Sequence, residues 1–573
     1  MSYLVIQNGK DGKKYAYQCT AQWNSEKKRS VQKRVYLGVH DPQTGELVPR
    51  RQRSSRPGQR IGMDAVKEIA KRSGDAQQAI LEAMASGPGR SKPDSVLAPS
   101  VVEVAEPGCI HLVEQIAAST GLEATLSATF GARLARQLIL LAAYQITQAD
   151  PIYLARPWLE KTLGKRACAT LKFQEEGALL NQLGADPVQR MTFLKAWALQ
   201  RKHPQALIYD ITSVSTYSEL LDLAEWGYNR DDEPMRQVNL ASVHDRSDGL
   251  PLFYRVLPGS ISDVTTLTLT SELMTSFGYS GFHFVMDRGF FSQANASEML
   301  QNGIGFTMAI PLTSTQAKAF VQARHDLLAR PKNALVWAGR PIYHRKGPWL
   351  VTHPDKSTGS CQAHLFLDPQ RKSDEEERLL GRVLVAEQLA SKQAFLQRHQ
   401  AHSWMAGNAD PLRKYLTVRK DPSGAWCITR KNNVLAQRMA TMGLSLILTT
   451  DDQLTSENVW AEYRSRDRIE KAFDVLKNEN GQFRMYVSSR EQAEGRLFLA
   501  FLALIISCDL HRRMRKAGLY KKYTTQEVLT ELSKIRALRM DNDQIKLLEV
   551  SKTQRTLLAS LGVEPVQASL VIN

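Results

Sequence analysis

The chain has 573 residues, 43% hydrophobic and 23% charged, an ordinary globular composition with length for roughly three or four domains. Its 75 Lys and Arg against 58 Asp and Glu give a formal charge of +17 and a pI near 9.5, which favours a polyanionic partner, nucleic acid first among them. Six dispersed cysteines with no C-x-x-C argue against a zinc ribbon or a disulfide scaffold, and the N-terminus lacks the apolar run of a secretory signal, so a cytoplasmic protein with no membrane partner is expected.

Charge is concentrated at the start. Residues 1–60 hold 13 Lys and Arg against 4 Asp and Glu, more than half of the total excess in about a tenth of the chain. Within them Tyr15–Trp23 and Arg34–Val39 alternate as strands do, so a small basic β element is predicted, followed by a charged helix from about Met63 to Met84. The basic N-terminal region is placed at 1–85, and a Gly-, Pro- and Ser-rich linker at 86–108. Residues 109–204 carry apolar residues at helical spacing and read as a helical module.

At Ala206 the period changes. The runs 206–211, 238–243, 251–256, 282–287 and 305–310 are compact or alternating strands, with helices around Thr265–Met274 and Ser292–Gln301. The order β-β-β-α-β-α-β is that of a ribonuclease-H-like α/β core, a mixed sheet with helices on both faces, placed at 205–312 and 441–515 around a β-rich insertion at 313–440. The apolar run Leu497–Ile506 is about half the length of a bilayer span and reads as a buried core helix. Residues 516–573 read as a helical region, with Thr524 and Glu527 at capping-box spacing.

Two expected strands end in an aspartate, Asp210 and Asp287. Downstream, Tyr463, Arg466, Glu470 and Lys477 fall within about a 60° arc of one helix. Alone, that stripe also describes a wet helix face with an Arg466–Glu470 ion pair, and each aspartate alone also describes a strand-end cap. Together, two aspartates and a glutamate can hold two divalent cations for phosphodiester chemistry, and hard carboxylate oxygens select Mg²⁺ or Mn²⁺.

YDITS around Asp210, HDRSDGLPLFYRVLPGSISDVTTL from His244 to Leu267, MDRGFFS around Asp287 and the Tyr-x2-Arg-x3-Glu-x6-Lys stripe resemble the DDE transposases of bacterial insertion sequences, in the group with a β-strand insertion between the second aspartate and the glutamate. The resemblance covers roughly residues 200–515. It implies Asp210, Asp287 and Glu470 as ligands of two Mg²⁺ (or Mn²⁺) ions per active site. It also implies Tyr463, Arg466 and Lys477 along the DNA phosphates, Arg466 as a bidentate fork and Lys477 as a point charge. Arg288 either touches the same strand or points away. Among the insertion's tryptophans, Trp337, Trp349, Trp404 and Trp426, one would stack on a flipped base if the ends pass through a hairpin.

Lys27, Lys28, Arg29, Lys33 and Arg34, around Trp23 and Tyr36, are the candidates for holding the terminal inverted repeats. The resulting expectation is a cut-and-paste transposase acting on double-stranded DNA, both its own ends and a target, as a homodimer in the bacterial cytoplasm, nucleoid-associated when bound. A catalytically silent DNA-binding regulator or domesticated derivative, and a ribonuclease-H-like nuclease or resolvase, are the alternatives.

Overall fold

The computed structural model describes residues 100–567 except 172–175, 202–205, 219–220, 228, 230–232, 261–262 and 482–483, together with four strands within residues 2–49. It divides into two units, Met1–Leu97 and Ala98–Asn573. The first holds an antiparallel sheet, β1 (Ser2–Asn8), β2 (Lys14–Asn24), β3 (Arg29–His40) and β4 (Leu47–Pro49), in sequential order. This agrees with the alternation in Tyr15–Trp23 and Arg34–Val39. Arg29, Lys33 and Arg34 lie on β3; Lys27, Lys28 and the helix expected over 63–84 fall outside the described residues.

The second unit begins with β5 (Val101–Ala105), inside the stretch expected to be linker. Its valines favour extended backbone, and it pairs antiparallel with Ala537–Met540, a partner more than 400 residues away that local composition could not announce. Residues 108–199 then fold into helices, including α1 (Glu176–Ala185), that pack as one core with the central sheet of the unit.

The central sheet is built from β6 (Ala206–Thr216), β7 (Gln237–Asp245), β8 (Pro251–Pro258), then α2 (Asp263–Ser276), β9 (His283–Met286), α3 (Gln293–Gln301) and β10 (Gly305–Ile310). The strands lie in the order β8-β7-β6-β9-β10, with β6, β9 and β10 parallel and β7 antiparallel to both of its neighbours. This is the ribonuclease-H-like arrangement expected from the sequence.

The β-rich insertion expected at 313–440 is continuous with the core sheet over its first strands. Strands β11 (Ala334–Trp337), β12 (Arg340–Thr352) and β13 (Thr358–Leu367) continue the core sheet, because β16 (Leu444–Thr449) lies between β10 and β13 and pairs antiparallel with both. An apolar β16 left at an edge would expose unpaired backbone; β13 covers it with the buried Ala363 and Leu365. The rest of the insertion is α4 (Pro369–Ser391), α5 (Arg398–Asn408) and the hairpin β14 (Leu416–Lys420) with β15 (Trp426–Arg430). These pack around a small core of their own that includes Val383, Phe395, Met405, Leu416 and Ile428.

After β16 come α6 (Ser456–Arg464), α7 (Asp467–Asp474) and the 27-residue α8 (Arg490–Lys516). Leu497–Ile506 is buried throughout within α8, and among the described residues no helix is long and apolar enough to cross a membrane. Helices α1 and α8 approach backbone to backbone. A Cβ on Gly495 would lie 2.0 Å from Leu180 O, and one on Gly184 would lie 1.8 Å from Glu491 O, so only glycine fits at either position. The C-terminal region is not wholly helical: two strands, Ala537–Met540 and Ile545–Leu547, separate helices Thr525–Leu532 and Lys552–Ser560. Thr524 and Glu527 do form the capping box.

Candidate active site

The period of two along β6 decides which way its side chains face. Tyr209 turns towards α2, where its hydroxyl lies 2.8 Å from Thr266 Oγ1. Ile208 turns the other way and packs with Ile469 and Phe473 of α7. Asp210, two residues on from Ile208, therefore shares the face covered by α7. It lies inside β6, not at the strand end expected, because β6 keeps its pairing with β7 to Ser215 while its pairing with β9 stops at Ile208.

The parallel register of β6 and β9 supplies the second carboxylate. Ile208 pairs with Val285, so Asp210 and Asp287, the first residue after β9, each follow the last paired residues by two and share the face covered by Arg466. Asp287 O accepts from Phe290 N as the chain turns, so the strand ends where the side chain is wanted.

The third part arrives on helices, but not on the single straight helix the stripe assumes. After α6 the ladder tightens to i→i−3 bonds, Arg466 N to Tyr463 O and Ile469 N to Arg466 O, before α7 resumes; then Val475–Glu479 forms a π turn. The wider turn shifts the side chains on it, Lys477 among them, from the positions a helical wheel gives them. Lys477 is 7% exposed, and its charge contributes to holding the Glu233 carboxyl below its ordinary value, after the hydrogen bond from Arg484 that is the main cause.

Arg466 is brought to the centre. Its Nη2 lies 2.8 Å from Glu470 Oε1 and 3.6 Å from Asp287 Oδ1, and its Nη1 3.8 Å from Asp210 Oδ2, with the side chain 12% exposed. Burial opposes the guanidinium charge, but Asp287, Tyr463, Glu470 and Asp210 outweigh it and hold the group above its ordinary value. Tyr463 donates a 3.1 Å hydrogen bond to Asp287 Oδ1, and burial foremost, with the Asp287 charge, pushes its phenol up to about 12. The Arg466–Glu470 ion pair of a wet helix face thus exists, but as one side of a cluster that gathers all three carboxylates. Arg288 is exposed beside it.

The donor set is all hard oxygen, which suits Mg²⁺ or Mn²⁺, and a cation already stands among the three carboxylates in the form of the guanidinium. Among the described residues, no group of three His, Cys, Asp or Glu is arranged to hold a metal ion.

Glu462, the residue before Tyr463, was not singled out in the sequence. It is 3% exposed, and its Oε2 accepts 2.8 Å from Thr307 Oγ1 of β10 and lies 2.9 Å from His283 Nε2 of β9, with Arg246 Nη1 3.8 Å from Oε1. Burial works against its ionisation, yet the contacts with His283, Thr307 and Arg246 prevail and hold the carboxyl below its ordinary value. The available signal was its position one residue off the stripe, which turns it about 100° towards the sheet.

None of the four insertion tryptophans is a bare stacking surface. Trp349 is 2% exposed against Phe320, Trp404 and Trp426 pack on the insertion's own core, and Trp337 packs beside Leu335 and Ile342.

Residues 201–506 match a family model described as "Transposase DDE domain". No curated protein matches the chain. Among solved structures, the piggyBac transposase synaptic complex with hairpin DNA, studied by cryo-electron microscopy, is similar at 9% identity and a TM-score of 0.34, covering 74% of this chain and 76% of that one.

Proposed function

The chain belongs to the DDE transposase family, whose domain spans more than half of it, and on that premise we propose that it is a cut-and-paste transposase of a bacterial insertion sequence. It would cleave phosphodiester bonds at the element's terminal inverted repeats and join the 3′-hydroxyl ends to target DNA, as a homodimer that brings two ends together. The observation that carries this reading is the convergence of Asp210, Asp287 and Glu470 on one side chain, Arg466.

In this reading Asp210, Asp287 and Glu470 would hold two Mg²⁺ or Mn²⁺ ions. The chemistry such ions would supply there is positive charge that stabilises an in-line phosphodiester displacement. The protein's own part is positional. The sheet register sets the two aspartates side by side, Glu462 seats α6 on the sheet, and Tyr463 and Arg466, now in contact with the carboxylates, would reach a phosphate of the DNA end. Arg288 is exposed beside Asp287 and suits a contact to the same strand. Lys27, Lys28, Arg29, Lys33 and Arg34 would hold the inverted repeats through the backbone.

The test is cleavage of a duplex carrying the inverted repeats that flank the gene, with Mg²⁺. Asp210→Asn, Asp287→Asn and Glu470→Gln should each abolish cutting while leaving binding of the ends intact. Cutting that survives any one of them defeats the assignment, and cutting of any duplex without end specificity or strand joining would favour a nuclease.

A further inference from the structure

The buried guanidinium of Arg466 stands in ion-pair contact with Asp210, Asp287 and Glu470 together. It fills the ground among the three carboxylates that a divalent cation bound to them would need. Its Nε is buried without a hydrogen-bond partner, so the guanidinium fork is only partly used where it sits. Tyr463, the other residue of the motif suited to DNA, is also turned inward, spending its hydroxyl on Asp287. A guanidinium serves a phosphate as well as it serves a carboxylate, with two parallel donors.

We propose that Arg466 is a resident counter-ion: it occupies the ground among Asp210, Asp287 and Glu470 when neither divalent cations nor DNA are bound, and it must leave for the cations to enter, turning its fork to a phosphate of the DNA end. This rests on the assignment of those three carboxylates as the metal ligands. Metal loading and DNA engagement then meet at one side chain. Each cation-bound molecule offers the DNA one more phosphate contact, and by linkage the DNA end raises cation affinity by the same factor. Before an end is bound, Arg466 holds down metal occupancy and so guards against cutting elsewhere.

The test is Mn²⁺ affinity of the full chain without DNA, read by electron paramagnetic resonance. Arg466→Gln removes the competing charge and should bind Mn²⁺ about tenfold more tightly than the wild type or better, with Arg466→Lys, which keeps a charge but loses the fork, in between. Circular dichroism melts check that each variant is folded; if the glutamine variant does not fold, the lysine variant alone decides. A second readout is end-DNA affinity against salt, with Ca²⁺ present and absent. The log–log slope should steepen by about 0.9 with Ca²⁺ in the wild type, one phosphate's worth, and stay the same in Arg466→Gln. Mn²⁺ affinity that is unchanged or weaker in the Arg466 variants overturns the counter-ion role, while loss of Mn²⁺ binding in Asp210→Asn and Glu470→Gln keeps the ligand assignment standing. Mn²⁺ binding unaffected by Asp210→Asn and Glu470→Gln overturns both.

Discussion

Glu462 Oε2 lies 2.9 Å from His283 Nε2, joining the helix that presents Tyr463 to the strand that leads, four residues later, to Asp287. The same oxygen accepts from Thr307 on the next strand, so one buried carboxylate sets the height of α6 over β9 and β10. Glu462→Ala leaves His283 and Thr307 facing a void and should cost about 3–5 kcal/mol in urea unfolding. Glu462→Gln keeps an acceptor for Thr307 and should cost less. A loss of DNA cleavage larger than the loss of folded protein would show that the contact positions the site as well as holding the helix; an unchanged unfolding midpoint in Glu462→Ala would contradict its placement.

Acid should weaken the fold before it reaches the carboxylate range. His244 is buried with its Nδ1 against Gly249 O, and His364 is buried against Ser456 Oγ; burial lowers both imidazoles to about 4. The unfolded chain takes up those protons first, so this stability is complete above about 6.5 and is lost as the pH falls from there towards 4. Each histidine can contribute a slope of about 1.4 kcal/mol per pH unit in that window. Urea midpoints from pH 8 to pH 5 should be level at first and then fall; a flat profile to pH 5 would contradict the buried neutral histidines.

Lys477 separates a structural lysine from a phosphate contact. It is buried on the π turn and its charge bears on Glu233, so Lys477→Met should lower stability by about 1–3 kcal/mol without DNA present. A lysine on the phosphate rim would leave stability alone and reduce the salt slope of DNA binding by about 0.9. Unfolding and salt titrations of the one variant distinguish the two.

The crossing of α1 and α8 predicts an intolerance that no polar contact explains. Gly495→Ala drives a methyl into the Leu180 carbonyl and should destabilise by about 1–3 kcal/mol or more, although alanine is the better helix former. A more stable Gly495→Ala variant would mean that the helices stand further apart.

Much of the core was legible because its strands obey local rules. Gly305–Ile310 is β10 to the residue, and Leu497–Ile506 lies wholly inside α8. Long-range pairing was not legible: nothing in Val101–Ala105 names Ala537–Met540, and nothing in Gln362–Phe366 says that it will extend the central sheet. The stripe was legible as far as Tyr463, Arg466 and Glu470, which the structure brings together around the Arg466 guanidinium. The π turn carrying Lys477 was not legible, because a helical wheel assumes 3.6 residues per turn throughout.

The central claim is that Asp210, Asp287 and Glu470 form one metal site. Its most direct test replaces Mg²⁺ with Fe²⁺ in the full chain bound to its end DNA and maps the backbone cuts made by locally generated hydroxyl radicals. Cuts should cluster around residues 210, 287 and 470 and vanish at all three positions in Asp287→Asn. Cuts at only one of these segments, or a pattern that Asp287→Asn leaves unchanged, would show that the three carboxylates do not share a metal.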